Sequence, residues 1–223
     1  MKVTYGGIVA VMLVVTAVAV AGCANTGPSS AAPTGANGSP ASGAATPLSP
    51  QVGSIVNSTS VFGTNYNWIE YKTTAMIGGK EMTTDLKAER STADYQGTPA
   101  IHEKMTVTTS TGTSMVYDVY YDTAMATRLG GTSTITYNGR TMTQNINTST
   151  PVMNNFNQAS PLTFAGVEPV SVPAGTYPVA SKYTKSLNET QITYWAVSGI
   201  PVPVKEMTSS SKSSATLELV GWG

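Results

Sequence analysis

The sequence predicts an all-β protein, and three observations support this. Apolar and polar residues alternate with period two along most of the chain after residue 50, as in strands with one buried and one solvated face. Turn signals separate these stretches at short intervals, and Asn138-Gly139 is the best hairpin signal among them. Short connections pair chain neighbours antiparallel, so about ten strands should form one large curved meander sheet. A sheet of this size is expected to curl into a half-open barrel.

The first 22 residues are expected to be a lipoprotein signal peptide. Lys2 precedes an uncharged apolar run over residues 8–20, which is shorter than the roughly 20 residues of a membrane-spanning helix. The run leads into Val20-Ala21-Gly22-Cys23, which resembles the lipobox of prokaryotic lipoproteins. The resemblance implies cleavage before Cys23, lipidation of its thiol, a membrane as partner and an extracytoplasmic location. The alternative is an ordinary secretory signal or short anchor in which the cysteine is incidental.

Residues 24–50 have no charged side chain and a single large apolar one, Leu48. Such a segment buries too little surface to offset its ordering entropy, so we expect a disordered tether behind the lipidated Cys23. The predicted organisation is therefore a signal peptide over residues 1–22, a lipidated cysteine and tether over 23–50, and a single β-rich domain over 51–223.

The clearest strand covers residues 81–91, where Met82, Leu86 and Ala88 fall on one face and charged side chains fall on the other. The other predicted strands show the same alternation and cover residues 66–77, 100–109, 114–122, 132–137, 140–146, 167–172, 176–182, 190–197, 202–208 and 215–222. A short irregular or helical segment is expected near 149–164 and is the candidate to cross the open face.

The last quarter of the chain shows a characteristic order of features. A Val-Pro-Ala-Gly-Thr-Tyr hairpin at 172–177 is followed by Tyr194-Trp195, by Ile-Pro-Val-Pro-Val-Lys at 200–205 and by a closing strand around 217–220. This order resembles that of periplasmic and surface β-proteins related to the lipoprotein-carrier (Lol-type) half-barrels. The resemblance covers residues 166–223 and implies a curved antiparallel sheet that holds acyl chains. A lipobox ahead of such a domain is also similar to surface lipoproteins of archaea.

Composition excludes several classes of function. Twelve basic and twelve acidic residues give no net charge, so binding to nucleic acid is not expected. One cysteine and one histidine exclude a disulfide framework, a thiolate cluster and a multi-histidine metal site, and no cofactor or metal is expected.

Catalytic candidates are equally sparse, and we expect a protein that is not an enzyme. His102 lies on a predicted solvated strand face with no nucleophile motif beside it. Asp118 and Asp122 are about 13 Å apart if both lie on one strand, too far to share an ion. Glu103 falls on a predicted buried face, where a carboxylate lies near a sheet edge, pairs across strands or, as a minor alternative, contacts a ligand.

The favoured function is binding or carriage of an apolar, lipid-like ligand in the concave face of the curved sheet. The candidate pocket residues are apolar positions on the buried faces of three strands: Met82, Leu86, Met105, Val107, Met115, Tyr117 and Val119. The same residues also fit as ordinary core. The alternative is a structural or interaction module that meets another envelope protein and has no small ligand. Its support is the tether, the Thr/Ser-rich solvated faces and the N-glycosylation acceptor triplets at Asn57, Asn147 and Asn188.

Overall fold

Twelve strands form one antiparallel sheet in the structure, a computed structural model that describes residues 50–63, 65–146, 160–211 and 213–223. The elements are β1 (Ile55–Asn57), α1 (Ser58–Val61), β2 (Trp68–Ile77), β3 (Lys80–Tyr95), β4 (Thr98–Thr109), β5 (Ser114–Asp122), β6 (Arg128–Tyr137), β7 (Arg140–Ile146), β8 (Pro161–Val172), β9 (Gly175–Leu187), β10 (Thr190–Ala196), β11 (Lys205–Ser209) and β12 (Ser213–Trp222). The sheet is not closed into a barrel, and the one described helix is four residues long. The predicted all-β, antiparallel, open architecture is confirmed.

The strand order is β1-β8-β9-β10-β11-β12-β2-β3-β4-β5-β6-β7. Two meanders, β2–β7 and β8–β12, are joined by antiparallel pairing of β12 with β2. The strand order departs from a sequential meander at two points, because β1 and β2, and likewise β7 and β8, follow each other in the chain but are not neighbours in the sheet. Turn residues specify only the pairing of chain neighbours, whereas β12 and β2 come from opposite ends of the described chain.

Most strands lie where the alternation predicts them, and β7 matches its predicted bounds. Of the predicted irregular stretch at 149–164, residues 149–159 lie outside the described residues, and most of the rest belongs to β8, which begins at Pro161. Proline is tolerated as the first residue of a strand, and Leu162 and Phe164 then alternate on its buried side. The strand predicted at 202–208 begins only at Lys205, because Pro201 and Pro203 carry no N–H for a ladder.

The two faces of the sheet differ in chemistry. We call the face that carries Tyr71, Leu217 and Leu219 the apolar face, and these three side chains are buried. Register places Leu219 opposite Tyr71, and Tyr71 opposite Leu86 on the next strand. The opposite side, the polar face, carries charged pairs such as Lys205 Nζ and Glu218 Oε1, 2.9 Å apart. Period-two alternation along each strand therefore gives the sheet one buried face and one solvated face.

A loop over residues 197–204, between β10 and β11, packs against the apolar face. Its Val202 and Val204 are fully buried in the largest hydrophobic cluster together with Leu219. The Tyr71 hydroxyl donates a 2.7 Å hydrogen bond to the carbonyl of Pro203 and so satisfies a buried polar group. This loop covers part of the sheet, whereas residues 149–159 of the stretch predicted to do so lie outside the described residues.

Replacement of Leu219 by alanine tests the junction between the two meanders. Leu219 is fully buried and faces Tyr71 across the β12–β2 pairing. We expect Leu219→Ala to lower the free energy of unfolding by about 2–5 kcal/mol, because it leaves a cavity in the core. Met142→Ala, at a position that is 76% exposed on β7, should change it by less than about 0.5 kcal/mol. Urea unfolding followed by tryptophan fluorescence measures both, and equal effects would contradict the described junction.

Candidate functional site

All seven apolar candidates lie on the apolar face of three adjacent strands, β3, β4 and β5. Register aligns Leu86, Val107 and Met115 in one row and places Met105 opposite Tyr117 in the next. Their burial falls into two groups. The buried members are Val107, Met115 and Val119, and the half-buried members are Met82, Leu86, Met105 and Tyr117. The set therefore contains core positions and positions that remain partly accessible.

The half-buried members lie beside the core and not within it. Leu86 and Met105 pack against the margin of the largest cluster, next to the buried Ile69 and Ala88. The same cluster contains Val170 on β8 and Ala180 on β9, so Leu86 and Met105 lie at the edge of a packed core. This stretch of the apolar face is the candidate surface for an apolar ligand.

Glu103 is paired across strands, which is one of the positions expected for it. Its Oε2 lies 2.6 Å from Arg90 Nε on the neighbouring strand, and both side chains are nearly buried. The Arg90 guanidinium also lies over the ring of Tyr66, 3.8 Å from the centroid. A buried ion pair with these additional contacts is compensated locally, so Glu103 is held as part of the sheet's packing.

A second carboxyl on the apolar face, Glu206 on β11, was not singled out from the sequence. It is 3% exposed, lies opposite Tyr194 and Leu217, and accepts a 3.3 Å hydrogen bond from the Thr208 hydroxyl. Burial raises the pKa of Glu206 to about 7. The sequence shows that Glu206 shares a strand face with Thr208 but not that the sheet buries this face.

The polar face carries a second feature, a cluster of aromatic and polar side chains on β3–β5. His102 Nε2 and Asp118 Oδ1 are 2.8 Å apart, within hydrogen-bond distance. The His102 ring stacks on Tyr120, with centroids 4.7 Å apart and planes inclined by 23°. Tyr95, near the end of β3, packs against Tyr120 with centroids 4.8 Å apart. His102 is therefore on the predicted solvated face, but half-buried and engaged rather than free.

This aromatic cluster forms one wall of a groove of about 790 Å³ on the polar face. The remaining lining residues come from β6 and β7: Leu129, Gly130, Gly131, Thr132, Asn145 and Ile146. A Cβ at position 130 would collide with the Tyr95 hydroxyl, and one at position 131 would collide with the backbone of Asp118. Positive φ angles of 157° and 154° also favour glycine at these two positions, and the Tyr95 hydroxyl occupies the space that a side chain at position 130 would take.

The remaining predictions concern the lipidation site, the glycosylation triplets, metal sites and membrane-spanning segments. Cys23 and Asn147 lie outside the described residues, whereas Asn57 and Asn188 are exposed, the first at the end of β1 and the second in the β9–β10 turn. Among the residues described, no group of histidine, cysteine and carboxylate side chains could hold a metal ion. None of the described helices has the length and hydrophobicity to cross a membrane.

Comparisons with known proteins assign no family. No protein-family model matches the chain, and no curated protein matches it. Among solved structures, the chain is similar to a DUF1329 family protein from Desulfovibrio piger, with 9% sequence identity and a TM-score of 0.35. The match covers 73% of this chain and 86% of that one. A TM-score this low does not establish a shared fold, and no argument below depends on the match.

The raised pKa of Glu206 predicts a pH-dependent stability. Between its usual value of 4.5 and about 7, the folded state keeps a proton that the unfolded state releases. The free energy of unfolding should therefore fall as pH rises through this window, by up to about 3 kcal/mol, and this contribution should level off above it. Glu206→Gln should remove this decline. Glu81→Gln, at an exposed position, should keep the wild-type slope. Chemical denaturation of the three proteins at several pH values measures the effect, and parallel profiles for wild type and Glu206→Gln would contradict it.

Proposed function

We propose that the protein is a membrane-anchored surface lipoprotein that binds an apolar, lipid-like ligand on the apolar face of its sheet. The observation that carries the proposal is that Leu86, Met105 and Tyr117, neighbours across β3–β5, are only half-buried on this face, as is Met82 further along β3. A sheet face needs a second layer to bury it completely, and apolar side chains that stay partly accessible can contact a ligand.

The chemistry of this face suits a flexible apolar chain. Methionine and leucine are adaptable and can follow the contour of an acyl chain. Buried polar side chains such as Thr84 and Ser133 also lie on this face, and the charges of Arg90 and Glu103 pair with each other across strands. Binding would proceed by burial of apolar surface, with no reaction.

The anchor in this proposal is the lipidated Cys23. A diacylated cysteine holds a protein stably at a membrane, whereas a single chain holds it marginally. Residues 24–50, poor in apolar side chains, would then keep the sheet at a distance from the bilayer.

One observation favours the alternative, an envelope interaction module. β7 lies at one edge of the sheet, six of its seven residues are exposed, and Met142 on it is 76% exposed. An exposed edge strand presents unpaired N–H and C=O groups to which a strand of a partner protein can add.

Native mass spectrometry of the full chain, purified in mild detergent from its own host, tests the lipid proposal. We expect bound mass that organic extraction removes and identifies as lipid. Met105→Gln should reduce the occupied fraction severalfold, because it places an amide on the apolar face. Met76→Gln is the matched control, since Met76 is 40% exposed on the polar face of β2. A ligand-free spectrum that persists after addition of lipid extract would overturn the proposal and favour the interaction module.

The anchor can be tested separately from the ligand. Cys23→Ser removes the thiol that would carry the lipid, so we expect the variant to leave the membrane fraction and to lose incorporation of labelled fatty acid in the host. Unchanged membrane association without label would show that the cysteine is incidental to the signal.

A further inference from the structure

The groove on the polar face has the geometry of a built ligand site, and it lies on the side of the sheet opposite to the proposed lipid surface. Its volume of about 790 Å³ is within the range of roughly 300–1,000 Å³ typical of small-molecule sites. Gly130 and Gly131 contribute only backbone to its lining. Glycine at position 130 also lets the Tyr95 side chain reach across to β6.

The wall of the groove combines aromatic surface with neutral and acidic hydrogen-bonding groups. Tyr95 packs against Tyr120 with the ring planes inclined by 32°, and both tyrosines line the groove. Asp118, Thr132 and Asn145 add a carboxylate, a hydroxyl and an amide around the same space. His102 on β4 lies within hydrogen-bond distance of Asp118 and stacks on Tyr120, so a neighbouring strand supports both groove residues.

From this arrangement we propose that the groove binds a neutral oligosaccharide. A sugar ring offers an apolar C–H face to an aromatic wall and hydroxyls to carboxylate, amide and hydroxyl groups at its rim. This combination is present in the groove, with Tyr95 and Tyr120 as wall and Asp118, Thr132 and Asn145 as rim.

Two other ligand classes fit less well. None of the described residues that line the groove is lysine or arginine, so a phosphate or carboxylate ligand would have no cation to meet. A quaternary ammonium requires aromatic faces that converge on one point. Here the rings of Tyr95 and Tyr120 lie against each other, inclined by 32°, and form a single wall.

Saturation-transfer NMR on the full chain in mild detergent tests the proposal. The probes are maltotriose, cellotriose, mannotriose and triacetylchitotriose, each at up to ~10 mM, well above a roughly millimolar Kd. Choline and inorganic phosphate serve as competing probe classes. We expect at least one trisaccharide to bind. We expect Tyr120→Leu to weaken it by about tenfold or more, since the variant removes the stacked wall.

The matched control is Tyr137→Leu, because Tyr137 is a 45% exposed tyrosine near the tip of β6 and does not line the groove. It should leave saccharide binding unchanged. Asn145→Ala, at an exposed position on β7, gives a second test that keeps the stacked rings and should also weaken binding if Tyr120→Leu fails to fold. Circular dichroism melting establishes folding of each variant.

Three results would overturn the oligosaccharide site: no saturation transfer from any trisaccharide, binding of choline or phosphate alone, or saccharide binding that both groove variants leave intact. None of these results bears on lipid occupancy of the apolar face, which is measured separately by mass spectrometry. The two proposals can therefore fail independently.

Discussion

The structure depends on the pairing of β12 with β2. This pairing joins two meanders that would otherwise be separate sheets, each with an additional open edge. It also places Leu219 against Tyr71 in the largest cluster, below the loop of residues 197–204. The end of the chain is held by the same junction, because the N–H groups of Asn67 and Trp68 donate to the carbonyl of Gly223. Pairing β12 with β2 closes the long stretch of chain between these two strands, which costs conformational entropy. Burial of apolar surface along the junction offsets this cost.

Polar groups on the apolar face determine how the stability of this core depends on pH. The Arg90–Glu103 pair and the Tyr71 hydroxyl have partners close at hand, so their burial is compensated. Glu206 differs from them, because the hydrogen bond described for its side chain is a single 3.3 Å bond from the Thr208 hydroxyl. Burial raises the pKa of this carboxyl. A carboxyl that keeps its proton near neutral pH avoids the cost of burying a charge but makes the stability of the core depend on pH.

The two faces of one sheet support two separate proposals because alternation gives each face its own chemistry. On β5, Tyr117 and Val119 belong to the apolar face, while Asp118 and Tyr120 belong to the groove on the other side. A shift of register by one residue would exchange these sets. The strand register that places Tyr117 and Val119 on the apolar face therefore also places Asp118 and Tyr120 in the groove.

Much of the fold and part of the candidate site could be predicted from local pattern. Alternation at 81–91 and 114–122 assigned Leu86, Met115 and their neighbours to one face, and cross-strand register confirms that they share it. The groove could not be predicted in this way. Its lining residues come from β3, β5, β6 and β7, and no short stretch of sequence shows that Tyr95 reaches Gly130 or that Gly130 lies opposite Tyr120.

The sequence by itself determined the strands, the turns between chain neighbours and the sorting of each strand into two faces, because these follow from residue spacing within a few positions. The tertiary structure alone decided that β12 pairs with β2, that the 197–204 loop covers the sheet, that Glu206 is buried and that Tyr95 reaches Gly130 on β6. Each of these is a contact between residues distant in the chain. Such contacts depend on packing and loop closure over the whole sheet, which no local periodicity encodes.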